Sequence, residues 1–146
     1  MVSLAIMDRR FQVSKNEIEV IKQKINNVLE KNEKILFAYI HGSFGNFPFK
    51  DIDISAYCDI QEDEVFDLEL EMSYQLEIAS GYTVDFKVLN YAPIGFQFSV
   101  VNEGILLFER DKTFRLNFIE GIGLKYMDYF EFSKLYLREL IECIEK

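Results

Sequence analysis

The sequence predicts an α/β (α+β) domain, a mixed sheet of about four strands flanked by helices. Short apolar runs stopped by glycine or proline alternate with longer segments whose apolar residues recur every three to four positions, the pattern of strands alternating with helices. No repeat, low-complexity tract or Gly/Ser/Pro linker interrupts the chain, so residues 1–146 read as one domain, with residues 1–14 as an N-terminal arm. At 49% hydrophobic residues, a chain of 146 can bury a real core.

The elements follow in order. Ser14 and Glu17 read as a capping box, and Ile18, Ile21, Ile25 and Val28 carry a helix to about Glu30. Residues 34–40 (KILFAYI) read as a buried strand ending at Gly42-Ser43, and residues 51–57 as a second strand. Acidic residues from Asp59 to Glu64 open a helix whose face is Val65, Leu68, Met72, Leu76 and Ala79, closed by Gly81. Residues 82–89 (YTVDFKVL) form the third strand, Pro93 starts a helix running toward Gly104, and residues 105–108 are a short fourth strand. From about Lys112 the chain is helical.

Composition narrows the function. A net charge of −9 argues against direct nucleic-acid binding, which needs clustered Lys and Arg to replace counterions; a basic protein partner or a metal-neutralised nucleotide fits better. No basic segment followed by a long apolar stretch opens the chain and no run approaches the length of a membrane span, so a cytoplasmic protein without a membrane partner is expected. Cys58 and Cys143 lack metal-type spacing and read as reduced structural thiols, which sets redox chemistry aside.

The chemistry concentrates in three acids. In KDIDISAY, Asp51 and Asp53 alternate with Ile52 and Ile54, so in a strand both carboxylates project from one face while the isoleucines enter the core. Two close carboxylates repel, and a hard divalent cation with oxygen ligands is the usual remedy. Asp85 in TVDFKVL would be a buried charge needing a partner, either a metal shared with the first two or a Lys or Arg. Upstream, Gly42 permits close backbone approach, and the Ser43 hydroxyl with the amides of the following turn could hold phosphate oxygens. Positioned phosphates facing metal-binding acids are the parts phosphoryl or nucleotidyl transfer requires. His41 reads as a strand-end residue beside the site rather than as ligand or base.

Gly42-Ser43, Asp51-x-Asp53 and the strand Asp85, in that order, resemble the nucleotidyltransferase superfamily that includes DNA polymerase beta. Within it, Leu89-Asn90, Ala92-Pro93, Glu103-Gly104 and Leu106-Leu107 resemble the minimal nucleotidyltransferase (MNT) antitoxins over residues 15 to 140. That resemblance implies an enzyme that transfers AMP from ATP to a tyrosine of a HEPN-type ribonuclease toxin. By it, Gly42 and Ser43 contact the triphosphate, Asp51 and Asp53 bind magnesium, and Asp85 completes the metal site and helps activate the attacking hydroxyl. The segment from Phe44 to Lys50 is shorter than in the family and lacks its Arg-Gly, leaving Lys50 as the candidate for the missing positive charge.

Two other functions are open: a binding module that neutralises its partner by occlusion, and a small-molecule nucleotidyltransferase, which usually carries a further substrate domain. Homo-oligomer formation is also open. Near the C-terminus, Tyr126, Phe130, Ser133, Leu137, Leu140 and Ile144 form one row at helical spacing, and Tyr129, Phe132, Tyr136 and Cys143 a second. Both rows are core, or they dock a helical protein partner.

Overall fold

The computed structural model describes residues 15–42 and 51–145. Helix α1 (Lys15–Lys31) leads into strand β1 (Ile35–His41), then β2 (Ile52–Cys58), helix α2 (Val65–Ser80) with a 3₁₀ turn (Glu62–Glu64) before it, β3 (Val84–Val88), α3 (Ile94–Glu103), β4 (Ile105–Glu109) and α4 (Lys112–Glu145). The expected element order is observed throughout these residues. Ser14, and with it the expected cap of α1 and the arm, lies outside them.

The strands form one sheet in the order β3-β2-β1-β4. β1 is antiparallel to both β2 and β4, whereas β2 and β3 run parallel, joined by the crossover helix α2. The mixed sheet read from the sequence is thus confirmed. One face is dry: Ile40, Ile52, Ile54, Ala56, Val84, Phe86 and Val88 pack against Ile18, Ile21, Ile25 and Leu29 of α1 and Leu68, Met72 and Leu76 of α2. Each such aliphatic side chain contributes about 1.5–3 kcal/mol on full burial. The α1 stripe ends on Leu29 rather than Val28, which packs only partly. Similarly α2 buries Ser80 and leaves Ala79 half-buried.

Both ends of β3 are tied down by side chains. The amides of Val84, Phe86 and Val88 point off the sheet edge, and they donate to Glu77 Oε1 (3.2 Å), Ser73 Oγ (3.1 Å) and Glu69 Oε2 (2.9 Å). These acceptors lie four residues apart on α2, so one helix face closes an edge that would otherwise invite strand addition. At the strand's far end Asn90 clasps β2: its Oδ1 accepts from the Cys58 amide (3.0 Å) and its Nδ2 donates to the Cys58 carbonyl (2.9 Å).

The second sheet face is divided. At one end Phe37, Tyr57, Phe114 and Phe118 form an aromatic cluster, with Tyr57 edge-on to Phe114 at 5.0 Å and to Phe118 at 5.1 Å, which seats the start of α4. In the middle Tyr39, Leu89 and Val100 are covered by Phe96, Phe118 and Ile119. The other end carries the acids.

Helix α4, with 34 residues, is about 50 Å long at 1.5 Å per residue and outruns the sheet. Its early turns pack through Phe118, Ile119 and Ile122, and Tyr126 stacks on Phe98 with ring centroids 4.0 Å apart. Beyond that the same face continues uncovered. Tyr129, Phe130, Phe132, Tyr136, Leu137, Leu140 and Ile144 are all exposed, Phe132 at 69%. The reading of both rows as core is therefore overturned: the sheet is too short to reach them. No helix among the described residues is long and apolar enough to cross a membrane. Cys58 is buried, with its thiol pushed up to about 12 mainly by desolvation, and Cys143 is exposed; both are free.

Candidate active site

The acids occupy adjoining positions at the remaining end of the second face. In β2, Ile52, Ile54 and Ala56 point into the dry core, so Asp51, Asp53 and Ser55 alternate outward, as the KDIDISAY pattern predicts. Sheet register then sets Asp53 between two neighbours, His41 of β1 on one side and Asp85 of β3 on the other. The next row is Tyr39, Ser55 and Lys87. Asp51 precedes the strand on the same face, two residues from Asp53.

This crowding is visible in protonation. The Asp53 carboxyl is held above its ordinary value, first by desolvation and then by the charges of Asp85 and Asp51, with Lys87 opposing. His41 is pushed the other way by burial, so it stays neutral more readily; its Nε2 lies 2.8 Å from Ser55 Oγ and its ring meets Phe96 edge-on. That hydrogen bond ties His41, the last residue of β1, to β2.

Asp85 departs from expectation. It is exposed rather than buried, on an edge strand whose outer face no described residue covers there, and its Oδ2 lies 3.8 Å from Lys87 Nζ. Among the described residues no three His, Cys, Asp or Glu side chains stand close enough to hold an ion without moving. The donor set nevertheless suits a divalent cation: three hard carboxylates on one face, one of them already raised in pKa by burial and then by the other two. Gly42 ends β1 at φ 76°, and a methyl group there would overlap Asp53 Oδ2, so the bare glycine makes room for the central acid. Ser43 and Lys50 lie outside the described residues.

Gly42→Ala should therefore cost about 2–3 kcal/mol in urea unfolding, against about 1 kcal/mol for Gly81→Ala. Gly81 caps α2 at nearly the same φ, 80°, but has nothing within 4 Å of an added methyl. Equal losses would show that Asp53 does not rest against Gly42.

Two residues of this face escaped the sequence reading. Ser55 is fully buried and Lys87 half-exposed, and both follow an aspartate by two positions, the spacing that puts them on the same face.

A glycine ending one strand, paired acids on the next and a third acid on a parallel neighbour, all on one mixed sheet, define the frame of a nucleotidyltransferase. Residues 23–113 match the family model "Polymerase beta, Nucleotidyltransferase", and the chain belongs to that family. Solved structures of similar fold include a chain of the MntA–HepT toxin–antitoxin crystal structure, at 20% identity and a TM-score of 0.60, with 88% of this chain and 99% of that one covered. A toxin–antitoxin crystal structure with AMP-PNP matches at 22% identity and 0.62, covering 86% and 98%. The complex of a tri-AMPylated Shewanella oneidensis HEPN toxin with its MNT antitoxin matches at 20% and 0.61, covering 88% and 99%. At these identities the shared feature is the fold. No curated protein matches in sequence.

Proposed function

We propose that this protein is an MNT-type antitoxin that transfers AMP from ATP to a hydroxyl, a tyrosine, of a HEPN-type ribonuclease toxin. The observation that carries the reading is the row His41, Asp53, Asp85, with Asp51 beside it, on one face of a nucleotidyltransferase sheet. Support also comes from relatives of the same fold, one crystallised with AMP-PNP and one with an AMPylated HEPN toxin.

In this reading Asp51, Asp53 and Asp85 hold magnesium, and Gly42, Ser43 and Lys50 hold the triphosphate. Bound magnesium supplies charge neutralisation of the phosphate oxygens. Gly42 keeps backbone close to the Asp53 carboxylate, so that phosphates enter beside the acids. Asp85, at the exposed edge, is the acid an incoming protein hydroxyl reaches first. It takes the hydroxyl proton as the oxygen bonds to the α-phosphorus, while the bond to the β-phosphate oxygen breaks and pyrophosphate leaves. His41, neutral and tied to Ser55, holds the strand end that presents Asp53.

The test uses α-labelled ATP, magnesium and a HEPN-type protein carrying an Arg-x₄-His motif. Label is expected on that partner with release of pyrophosphate, and Asp85→Asn should slow transfer by about 10²-fold or more, the scale of a lost general base. Transfer at the wild-type rate in Asp85→Asn would reduce Asp85 to a strand residue. A specific observation also favours occlusion: the uncovered apolar face of α4. Tight partner binding with no label transferred would make occlusion the whole function.

A further inference from the structure

We propose that Lys87 is a positioning residue that exchanges partners, holding the Asp85 carboxylate in the free protein and passing to a triphosphate oxygen when a divalent cation engages the acids. The proposal rests on the nucleotidyl-transfer reading and adds to it a phosphate contact outside the Gly-Ser loop.

The geometry that carries it is local. Lys87 follows Asp85 by two residues on the outward face of β3, so both side chains leave the same side of the sheet, with Lys87 opposite Ser55 and Asp85 opposite Asp53. Their contact, Nζ to Oδ2 at 3.8 Å, is between side chains 49% and 52% exposed. A solvated pair at that separation contributes little to stability, so it is easily traded for another partner. The trade has a driving force. A cation on the three acids would compete with the ammonium for Asp85, and the incoming triphosphate offers the displaced ammonium a stronger, multiply charged acceptor on the same face.

Lys87 also lines a groove of about 360 Å³ with Val65, Glu69, Tyr91, Pro93 and Phe96, and Phe96 in turn meets His41 on the acid row. The Glu69 carboxylate in that groove already accepts from the Val88 amide, and the half-exposed Lys87 side chain has room to move. The guanidinium of Arg115, which reaches the neighbouring row at Tyr39, is committed to Glu109 and to the Tyr39 hydroxyl.

Calorimetry on the full chain separates the two halves of the exchange. Mn²⁺ is titrated alone, and ATP is titrated at saturating Mg²⁺, for wild type, Lys87→Met and Lys87→Arg. Lys87→Met is expected to bind Mn²⁺ alone about threefold tighter or more, its competitor for Asp85 being gone, and ATP about tenfold more weakly, the scale of one charge-assisted contact. Lys87→Arg should keep ATP affinity close to wild type. Unchanged affinities in Lys87→Met overturn the exchange while leaving the nucleotidyl-transfer reading standing, and weaker Mn²⁺ binding overturns it by showing that Lys87 supports Asp85 rather than competing for it. Wild-type protein that binds neither Mn²⁺ nor ATP refutes the underlying reading itself, and the exchange with it.

Discussion

Asp53→Asn is expected to abolish nucleotidyl transfer while making the protein more stable at neutral pH. Asp53 is the middle of the acid row, with His41 and Asp85 as register neighbours and Asp51 two residues before it, so on the proposed reading its loss removes the central metal ligand. Charge stabilisation by a bound metal is worth several kcal/mol in the transition state, so a fall of about 10³-fold or more in transfer rate is expected. Stability moves the other way. Desolvation and the neighbouring carboxylates raise the Asp53 pKa above 3.8, so between the two values the folded state holds a proton that the unfolded chain has released. Ionisation of Asp53 therefore destabilises the fold. The penalty is complete above the folded-state pKa and is relieved as pH falls through it toward 3.8. Asparagine carries no such penalty, so the variant's melting temperature should exceed wild type at pH 7, with the margin shrinking toward pH 4. A variant that loses activity and stability together would mean that Asp53 supports the fold and does not store repulsion for a ligand. Thermal melts at several pH values, run beside the labelled-ATP assay, decide between these.

The same residues show what a sequence can and cannot announce about this site. Asp51, Asp53 and their isoleucines were legible because alternation in a strand is local, and Gly81 because a helix stop with positive φ favours glycine. The element order was legible for the same reason: each helix and strand carries its own periodicity. Strand order is different in kind. Nothing local in YTVDFKVL says that it lies at the edge, yet that position turns Asp85 from a buried charge into an exposed one and frees Lys87 to pair with it. Ser55 was passed over because a lone serine in a strand carries no signal until His41, one row away on β1, is known to reach its hydroxyl. The phosphate loop, with Ser43 and Lys50, remains a reading from resemblance, since those residues lie outside the described structure.

The double substitution of Phe132 and Tyr136 by serine is expected to abolish partner binding without unfolding the protein. The face these residues extend is the one that packs the start of α4 against the sheet through Phe118, Ile119 and Ile122, and it runs on past the sheet for the rest of the helix. A helix face that is apolar along its whole length but covered along only part of it is incomplete by itself. Phe132 and Tyr136 stand four residues apart on it, 69% and 57% exposed, so neither contributes to this chain's core and serine there should shift stability by no more than about 0.5 kcal/mol. At an interface the same aromatics act as anchors: each buried ring is worth about 2 kcal/mol or more on truncation, so the pair together should weaken binding by about 10²-fold or more. The overall charge of −9 favours a basic partner, and encounter should slow as salt rises. Co-purification and equilibrium binding with a HEPN-type partner measure the loss, and a thermal melt confirms the fold. If the doubly substituted protein still bound that partner with wild-type affinity, the docking surface would have to lie elsewhere, whatever the fate of the catalytic reading.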